Sequence, residues 1–524
     1  MDLEEYSKPY LSKRSIGFLL GLAVFFFFII IPTPELFVDT LKTSIGSAAN
    51  DAEVLLVAAG MQKVLALFLL MIIWWITEAL PIPATALLPA VMLPLLHVTG
   101  WADGKLFEFT FQKTLVSYAN PVIALFFGCF LLAGAMQKWG VDKRITLWLL
   151  TRGKIASSPK LTLLALMYAT ALLSMWISNT ATAAIMLPIA IGILSQSNIE
   201  PGKNNFGTAL MLCIAWSASV GGVGTLIGTP PNGIAISILR QNGLQTVNFL
   251  EWMKFGVPYV ILFIPIIWFL ALKLYPPDKD TKLNKEYLTT KRDALGKFSL
   301  GEIIVSLVFL SAIFLWVSNP FWKYILPETI AQKLNLFDEF AIGLFVGLIL
   351  FIIPINFKKI DFILTWKDIK FVQWGVLILF GGGLALSEAM FKTGLAASIA
   401  TSFVYLLGTP STLAMLFVIL ILITFMTEVT SNTAVTSMMV PVVIAIGLGT
   451  GNDPAALSIG AAISASMAFM LPVATPPNAL VYGTGYIELR QMIKAGFWLN
   501  IIGCIFTLAI LYFFGHIVFG IIKL

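Results

Sequence analysis

Leu161 to Ser195 is a run of 35 residues without a charge, and three consecutive polar residues, Ser178-Asn179-Thr180, stand at its middle. As one helix the run would be about 52 Å long, against a hydrocarbon core of about 30 Å. Two full crossings would need about 40 residues plus a turn. The length suits a re-entrant hairpin, two half-depth helices with the triplet at the tip. The plain alternative is one long tilted span whose polar residues pack against a neighbour. Against it, the triplet returns at Ser431-Asn432-Thr433, again in apolar sequence: SNTATAAIMLP over Ser178–Pro188 and SNTAVTSMMVP over Ser431–Pro441 share six of eleven positions. A second signature follows each copy, Thr229-Pro230-Pro231-Asn232 and Thr475-Pro476-Pro477-Asn478. Paired prolines remove two backbone donors and stop a helix. Two helix-breaking polar signatures, each present twice in one order, predict two related halves that meet at a polar site inside a membrane.

Composition sets the solvent. The chain is 58% hydrophobic and 11% charged, with mean hydropathy +0.91, where soluble domains carry about 25% charged residues. Many uncharged runs exceed about 18 residues, so an all-α polytopic membrane protein is expected. The alternating ten-residue pattern of a membrane barrel is absent. The net charge of +6 sits in loops and reads as a topology signal, not as a nucleic-acid footprint. Cys129, Cys213 and Cys504 are scattered in apolar segments and form no CxxC pair, and His97 and His516 lie far apart, so no metal centre is expected. Glu4 and Glu5 precede the first apolar run and no small-residue cleavage motif follows, so the first span is expected to stay.

In chain order, full spans are expected at about 15–32, 55–79, 82–98 and 119–137, then the hairpin at 161–195, a broken span at 206–238 and a span at 255–274. Residues 1–274 form the first half, and 275–298 a polar linker. The second half, 299–524, has spans at about 299–318, 338–355 and 371–391, a hairpin at 411–447, a broken span at 455–486 and a last span at 496–520. Gly128, Met136 and Gly140 match Gly382, Met390 and Gly394 in spacing. That makes about eleven spans plus two hairpins. With the amino terminus inside and the carboxyl terminus outside, the basic segments 138–160, 273–298, 357–370 and 488–494 all fall on the cytoplasmic side. The charge-poor or acidic segments 32–54, 395–410 and 448–454 fall outside, as the positive-inside rule requires. The first hairpin then enters from the cytoplasm and the second from outside: inverted repeats, the plan of a secondary transporter with its site near the midplane.

The residue types define the chemistry. Asn offers an acceptor and two donors, and Ser and Thr offer hydroxyls. Half-helix amino ends present N–H groups and partial positive charge to an anion. Hydroxyls with free carbonyls suit a small hard cation such as sodium. No Arg or Lys lies near either triplet, so cations and helix ends would neutralise a dianion in their place. Ser174 and Thr427 each stand one turn before their triplet on the same face, as extra oxygen ligands or as ordinary helix-packing hydroxyls. Glu78 reads as a cation or proton ligand or, more commonly, an interfacial carboxylate. Glu428 either tunes the second cation site or is structural, and Glu388 carries little information. The glycines of 221–228 lack the Gly-Lys-Ser/Thr ending of a phosphate loop. No His, paired acids or HExxH adjoin the motifs, so an enzyme is not expected and a channel is disfavoured by the doubled helix breaks.

These motifs resemble those of the divalent anion/sodium symporters, the DASS or INDY family, over nearly the whole chain. The resemblance implies a bacterial-type dicarboxylate transporter in the cytoplasmic membrane. It further implies a homodimer whose protomers each have a scaffold and a transport part that moves elevator-fashion. By motif, one sodium site would use Ser174, Ser178, Asn179 and Gly228, and the other Thr427, Thr430, Asn432 and Ala474. Substrate carboxylates would meet Ser178, Asn179, Thr180, Ser431, Asn432 and Thr433, with Thr229, Pro230, Thr475 and Pro476 beside them. Family substrates are succinate, malate and fumarate; some relatives take citrate or sulfate, and some exchange dicarboxylates without sodium. Thr430 stands where bacterial symporters carry alanine. No cofactor beyond the coupling sodium ions is expected, and the partners are substrate, sodium and lipid.

Overall fold

Backbone groups in uncharged apolar sequence find no water, so such runs fold as helices. The computed structural model describes residues 12–46, 48–152, 158–202, 204–277, 285–325, 327–334, 337–356, 358 and 360–515. The first half comprises α1 (Lys13–Ile30), α2 (Glu35–Ile45), α3 (Asp51–Thr77), α4 (Ile82–Thr85) and α5 (Leu88–Leu95), then a ribbon of β1 (Thr99–Ala102) and β2 (Lys105–Glu108). There follow α6 (Phe111–Val116), α7 (Pro121–Trp139), α8 (Val141–Leu150), α9 (Pro159–Ser174), α10 (Asn179–Gln196), α11 (Asn205–Gly222), α12 (Pro230–Gln241) and α13 (Phe249–Leu274). After α14 (Lys285–Asp293) come α15 (Leu300–Ser318), α16 (Trp322–Ile325), α17 (Glu328–Leu334), α18 (Glu339–Ile349) and a ribbon of β3 (Pro354–Asn356) and β4 (Asp361–Phe362). The chain continues with α19 (Trp374–Lys392), α20 (Leu395–Leu407), α21 (Thr412–Thr427), α22 (Asn432–Thr450), α23 (Pro454–Ala465), α24 (Pro476–Tyr482) and α25 (Leu489–Ile510).

Among the described residues nine helices are long and apolar enough to cross a membrane. The fold is all-α and polytopic, and the two ribbons are minor. Two expected spans are shorter than their apolar runs. The stretch 82–98 is split into α4 and α5, because Pro81, Pro83, Pro89 and Pro94 crowd it and Pro94 sits inside α5. The stretch 338–355 stops as a helix at Ile349 and turns into β3. The segments expected as loops at 138–160 and 395–410 contain helices, α8 and α20. Each follows its span through a glycine in the left-handed region, Gly140 at φ +74° and Gly394 at φ +81°, a conformation that side chains resist. The terminal assignments fall on residues 1–11 and 516–524, outside the described residues.

The basic segments lie together. Lys138 Nζ pairs with Asp368 at 2.7 Å and Arg144 Nε with Glu302 at 2.8 Å. An Arg144 guanidinium N–H donates to Gly296 O, and Tyr275 donates to Gln491 O. The base of the α9–α10 pair sits on this face, where Trp268 donates to Lys160 O and Tyr287 of α14 lies against Gly192. At the far end of α19, Gly394 lies against Leu41 and Met61. The base of the α21–α22 pair closes on this second face, with the Asn452 amide donating to Pro410 O at 3.1 Å. The two helix pairs therefore approach from opposite ends of α19.

Candidate functional site

Each helix pair turns at its triplet. Helix α9 stops at Ser174, and Ser178 restarts the chain as the N-cap of α10, its hydroxyl accepting from Ala181 N. Ser431 is likewise the N-cap of α22. In the broken segments Thr229 is the N-cap of α12, and Thr475 is the N-cap of α24 and accepts from Asn478 N. Both caps are followed by Pro-Pro, which a first turn tolerates because its N–H groups have no helical partner. Four helix starts thus open from four polar caps.

All four caps line one cavity of about 340 Å³. Its wall contains every sequence-selected substrate residue: Ser178, Asn179, Thr180, Thr229, Pro230, Ser431, Asn432, Thr433, Thr475 and Pro476. Most of the remaining wall is apolar and was not assigned to the site by sequence: Phe126, Cys129, Phe130 and Ala133 of α7, Trp176, and Val376 of α19; Gln373 joins it, and so does Glu78, which sequence had raised as a candidate. Among the described residues no Lys or Arg lines it. The partial positive charge it offers an anion is that of the helix starts.

Beneath each tip lies an oxygen cluster. Ser174 Oγ is 2.8 Å from Asn179 Oδ1 and 2.6 Å from Ala218 O. Thr427 Oγ1 is 2.7 Å from Asn432 Oδ1 and 2.9 Å from Ala465 O. One hydroxyl proton cannot serve two acceptors, so each cluster holds more lone pairs than protons, the donor set of a cation site. In the first cluster a Cβ on Gly222 would sit 2.7 Å from Asn179 Oδ1 and 3.1 Å from Gly228 O. Only glycine leaves that point free, and it brings Gly228 to Asn179. In the second, Ala474 and Asn432 share the cavity wall. The Thr430 hydroxyl donates to Trp75 O at the end of α3, at 3.1 Å.

Several residues that sequence did not place hold the site. Asn232 donates to Gly222 O at 3.1 Å and Thr225 O at 2.8 Å. Asn478 does the same to Ala468 O at 2.9 Å and Leu471 O at 3.0 Å. These pairs stand at equal offsets, so each Thr-Pro-Pro-Asn ends in an amide that clamps its own break. The halves differ beside the clamp. In the first, Thr225 donates to Met175 O. In the second, the buried Glu428 carboxylate accepts from the N–H groups of Phe469, Met470 and Leu471 and from the Asn500 amide. Among the described residues no three His, Cys, Asp or Glu side chains gather as a metal centre.

A polytopic helical protein whose helix starts and oxygen clusters surround one small cavity has the build of a membrane transporter. Its family follows from comparison. Residues 54–521 match the family described as sodium:sulfate symporter transmembrane region, and the chain belongs to that family. It is 35% identical to the sodium-dependent dicarboxylate transporter SdcS of Staphylococcus saprophyticus, over 98% of this chain and 94% of that protein. It is 38% identical to SdcS of Staphylococcus aureus, over 87% and 86%. In structure it is similar to the Alcanivorax borkumensis YdaH transporter (TM-score 0.54, 15% identity, 87% of this chain and 98% of that one) and to Neisseria gonorrhoeae MtrF (TM-score 0.56, 13% identity, 83% and 95%). At that identity the likeness is one of fold.

Proposed function

We propose that the chain is a sodium-coupled symporter of C4-dicarboxylates such as succinate, malate and fumarate. The observation that carries this is the cavity itself: four capped helix starts and two proton-poor oxygen clusters, with no Lys or Arg among the described residues of the wall. One sodium would sit with Ser174, Ser178, Asn179 and Gly228, and a second with Thr427, Asn432, Ala474 and the Thr430 carbonyl. The two carboxylates of the substrate would meet the Ser-Asn-Thr triplets. The SdcS relatives, named for sodium-dependent dicarboxylate transport, support the same substrate class.

The basic face is assigned to the cytoplasm. Glu78 and Gln373 mark the cavity mouth near that face, so this is the inward-open form. Two inverted repeats, α5–α13 and α18–α25, would make a transport part of α9–α13 and α21–α25. That part would slide as an elevator against a scaffold of the remaining helices in a homodimer.

The test is uptake of labelled succinate into vesicles holding the purified protein, driven by an inward sodium gradient and then by potassium. Sodium-driven uptake that unlabelled succinate blocks is expected, and Asn179→Ala or Asn432→Ala should abolish it while leaving the protein folded. Uptake that needs internal dicarboxylate and ignores sodium would replace symport by exchange. Block by sulfate or citrate alone would move the substrate assignment.

A further inference from the structure

Among the described residues the cavity wall holds one charged side chain, and it has the wrong sign for an anion carrier. Glu78 lines the cavity, and it also lines the adjoining cleft with Arg14, Pro81 and Pro83. Its backbone is left-handed, φ 50° and ψ 38°, at the C-cap of α3. Glycine takes that cap without strain, whereas a side chain there costs on the order of 1 kcal/mol. A strained carboxylate on a substrate cavity points to use of the side chain itself. Its counter-charge is Arg14 on α1, with nitrogen and oxygen 3.7 Å apart and side chains 71% and 52% exposed. At that exposure the pair contributes little to stability; Glu78 lines the cavity itself, and Arg14 lines the adjoining cleft.

We propose that Glu78 and Arg14 set charge selectivity at the cavity mouth. Glu78 repels each anion in proportion to its charge, and Arg14 offsets part of that field. A dicarboxylate is tolerated and a tricarboxylate is held back. The inference rests on the dicarboxylate reading and names the residues that keep the third carboxylate out. Each added negative charge on the substrate feels one more unit of the Glu78 field. Through water-filled space this is worth on the order of threefold to tenfold in relative affinity, less at high ionic strength.

The test measures inhibition of labelled succinate uptake by unlabelled succinate and by citrate, above the last carboxyl pKa of citrate, in vesicles holding the full chain. Glu78→Gln should lower the ratio of citrate to succinate inhibition constants threefold to tenfold. Arg14→Gln should raise it by a similar factor. Both shifts should shrink when ionic strength is raised with choline chloride at fixed sodium. A packing role would lower transport of both substrates together, and a ratio that stays fixed in both variants overturns the proposal. Shifts of one sign in both variants overturn it too. If the unaltered protein takes up no dicarboxylate, the functional reading has failed instead, and the two failures are told apart in the first measurement.

Discussion

Ser174→Ala gives the sharpest test of the oxygen clusters. The Ser174 hydroxyl carries one proton between Asn179 Oδ1 at 2.8 Å and Ala218 O at 2.6 Å, and it is fully buried. Without a cation, one of the two acceptors goes unserved, and a buried unpaired oxygen costs about 1–3 kcal/mol. A sodium ion placed among the three oxygens removes that penalty and gains a ligand from each. Losing the hydroxyl removes one ligand and frees Asn179 to rotate. The sodium concentration for half-maximal succinate uptake should rise about tenfold, or about 1.4 kcal/mol. Thr427→Val should do the same in the other half, and Thr427→Ser should stay near the unaltered protein. Either damaged cluster should bring the Hill coefficient for sodium from about two toward one. The assays are uptake against sodium, balanced with choline, and the sodium-induced shift in thermal unfolding in detergent. If Ser174→Ala lowers thermal stability and leaves the sodium midpoint where it was, the hydroxyl only locks α9 to α11, and the cation reading of the cluster is wrong.

Three further outcomes follow from contacts away from the triplets. Thr430→Val removes the donor to Trp75 O, a bond between the proposed transport part and α3 worth about 1 kcal/mol. The inward-open form should lose roughly fivefold in population, read as slower thiol labelling of Val473→Cys, a position 82% exposed in this form, against a background of three buried native cysteines; an unchanged labelling rate would remove the latch. Burial pushes the Asp142 carboxyl up to about 6 from its ordinary 3.8. Folding is therefore favoured while Asp142 is protonated, and that stability is lost as pH rises from about 4 to about 6. Asp142→Asn should be more stable above that window by about 3 kcal/mol and no different below it, and thermal unfolding across pH would show a constant offset if the reasoning fails. Arg144→Ala leaves Glu302, 9% exposed, without its partner. It should cost about 3 kcal/mol, with Arg144→Ala/Glu302→Ala recovering part of the loss.

The helix breaks were legible because each needed residues that a continuous apolar helix avoids. A Ser-Asn-Thr in an uncharged run and a Pro-Pro pair each force a new N-cap, and the structure starts α10, α12, α22 and α24 at those residues. The site was legible for the same reason, since helix caps at mid-depth are the polar atoms a cavity can use. The connecting helices were not. Helices α8 and α20 are ten and thirteen residues long, too short to register as spans, and their turns depend on Gly140 and Gly394 adopting positive φ. The clamps at Asn232 and Asn478 were visible only as the last letter of a motif. Their acceptors lie ten and seven residues back, across loops whose shape the sequence does not disclose. The bond from the Thr430 hydroxyl to Trp75 O was not legible for a related reason: it depends on how the second tip sits against α3.

The absence of Lys and Arg among the described residues of the cavity wall has a consequence for coupling. A guanidinium fixed in the wall would hold a dicarboxylate whether or not sodium was present, and the loaded carrier could move without its driving ion. Four helix starts at about half a charge each sum to about two, and Glu78 in the wall offsets about one of that, so a desolvated dianion is left short of compensation. On the proposed reading the remaining charge arrives with the sodium ions, one under each tip. Asn179 and Asn432 are the shared parts: each side chain joins its oxygen cluster through Oδ1 and also lines the cavity. Sodium bound on one side of the amide fixes its direction, and the amide N–H₂ is then presented to the carboxylate on the other. Affinity for anion and cation must rise together by linkage. Asn179→Asp separates the two roles. It would hold the cation more strongly through a carboxylate while turning a negative oxygen toward the substrate. The expected result is tighter sodium binding by thermal shift with succinate affinity lost, and parallel loss of both would show that the two sites do not communicate through this side chain.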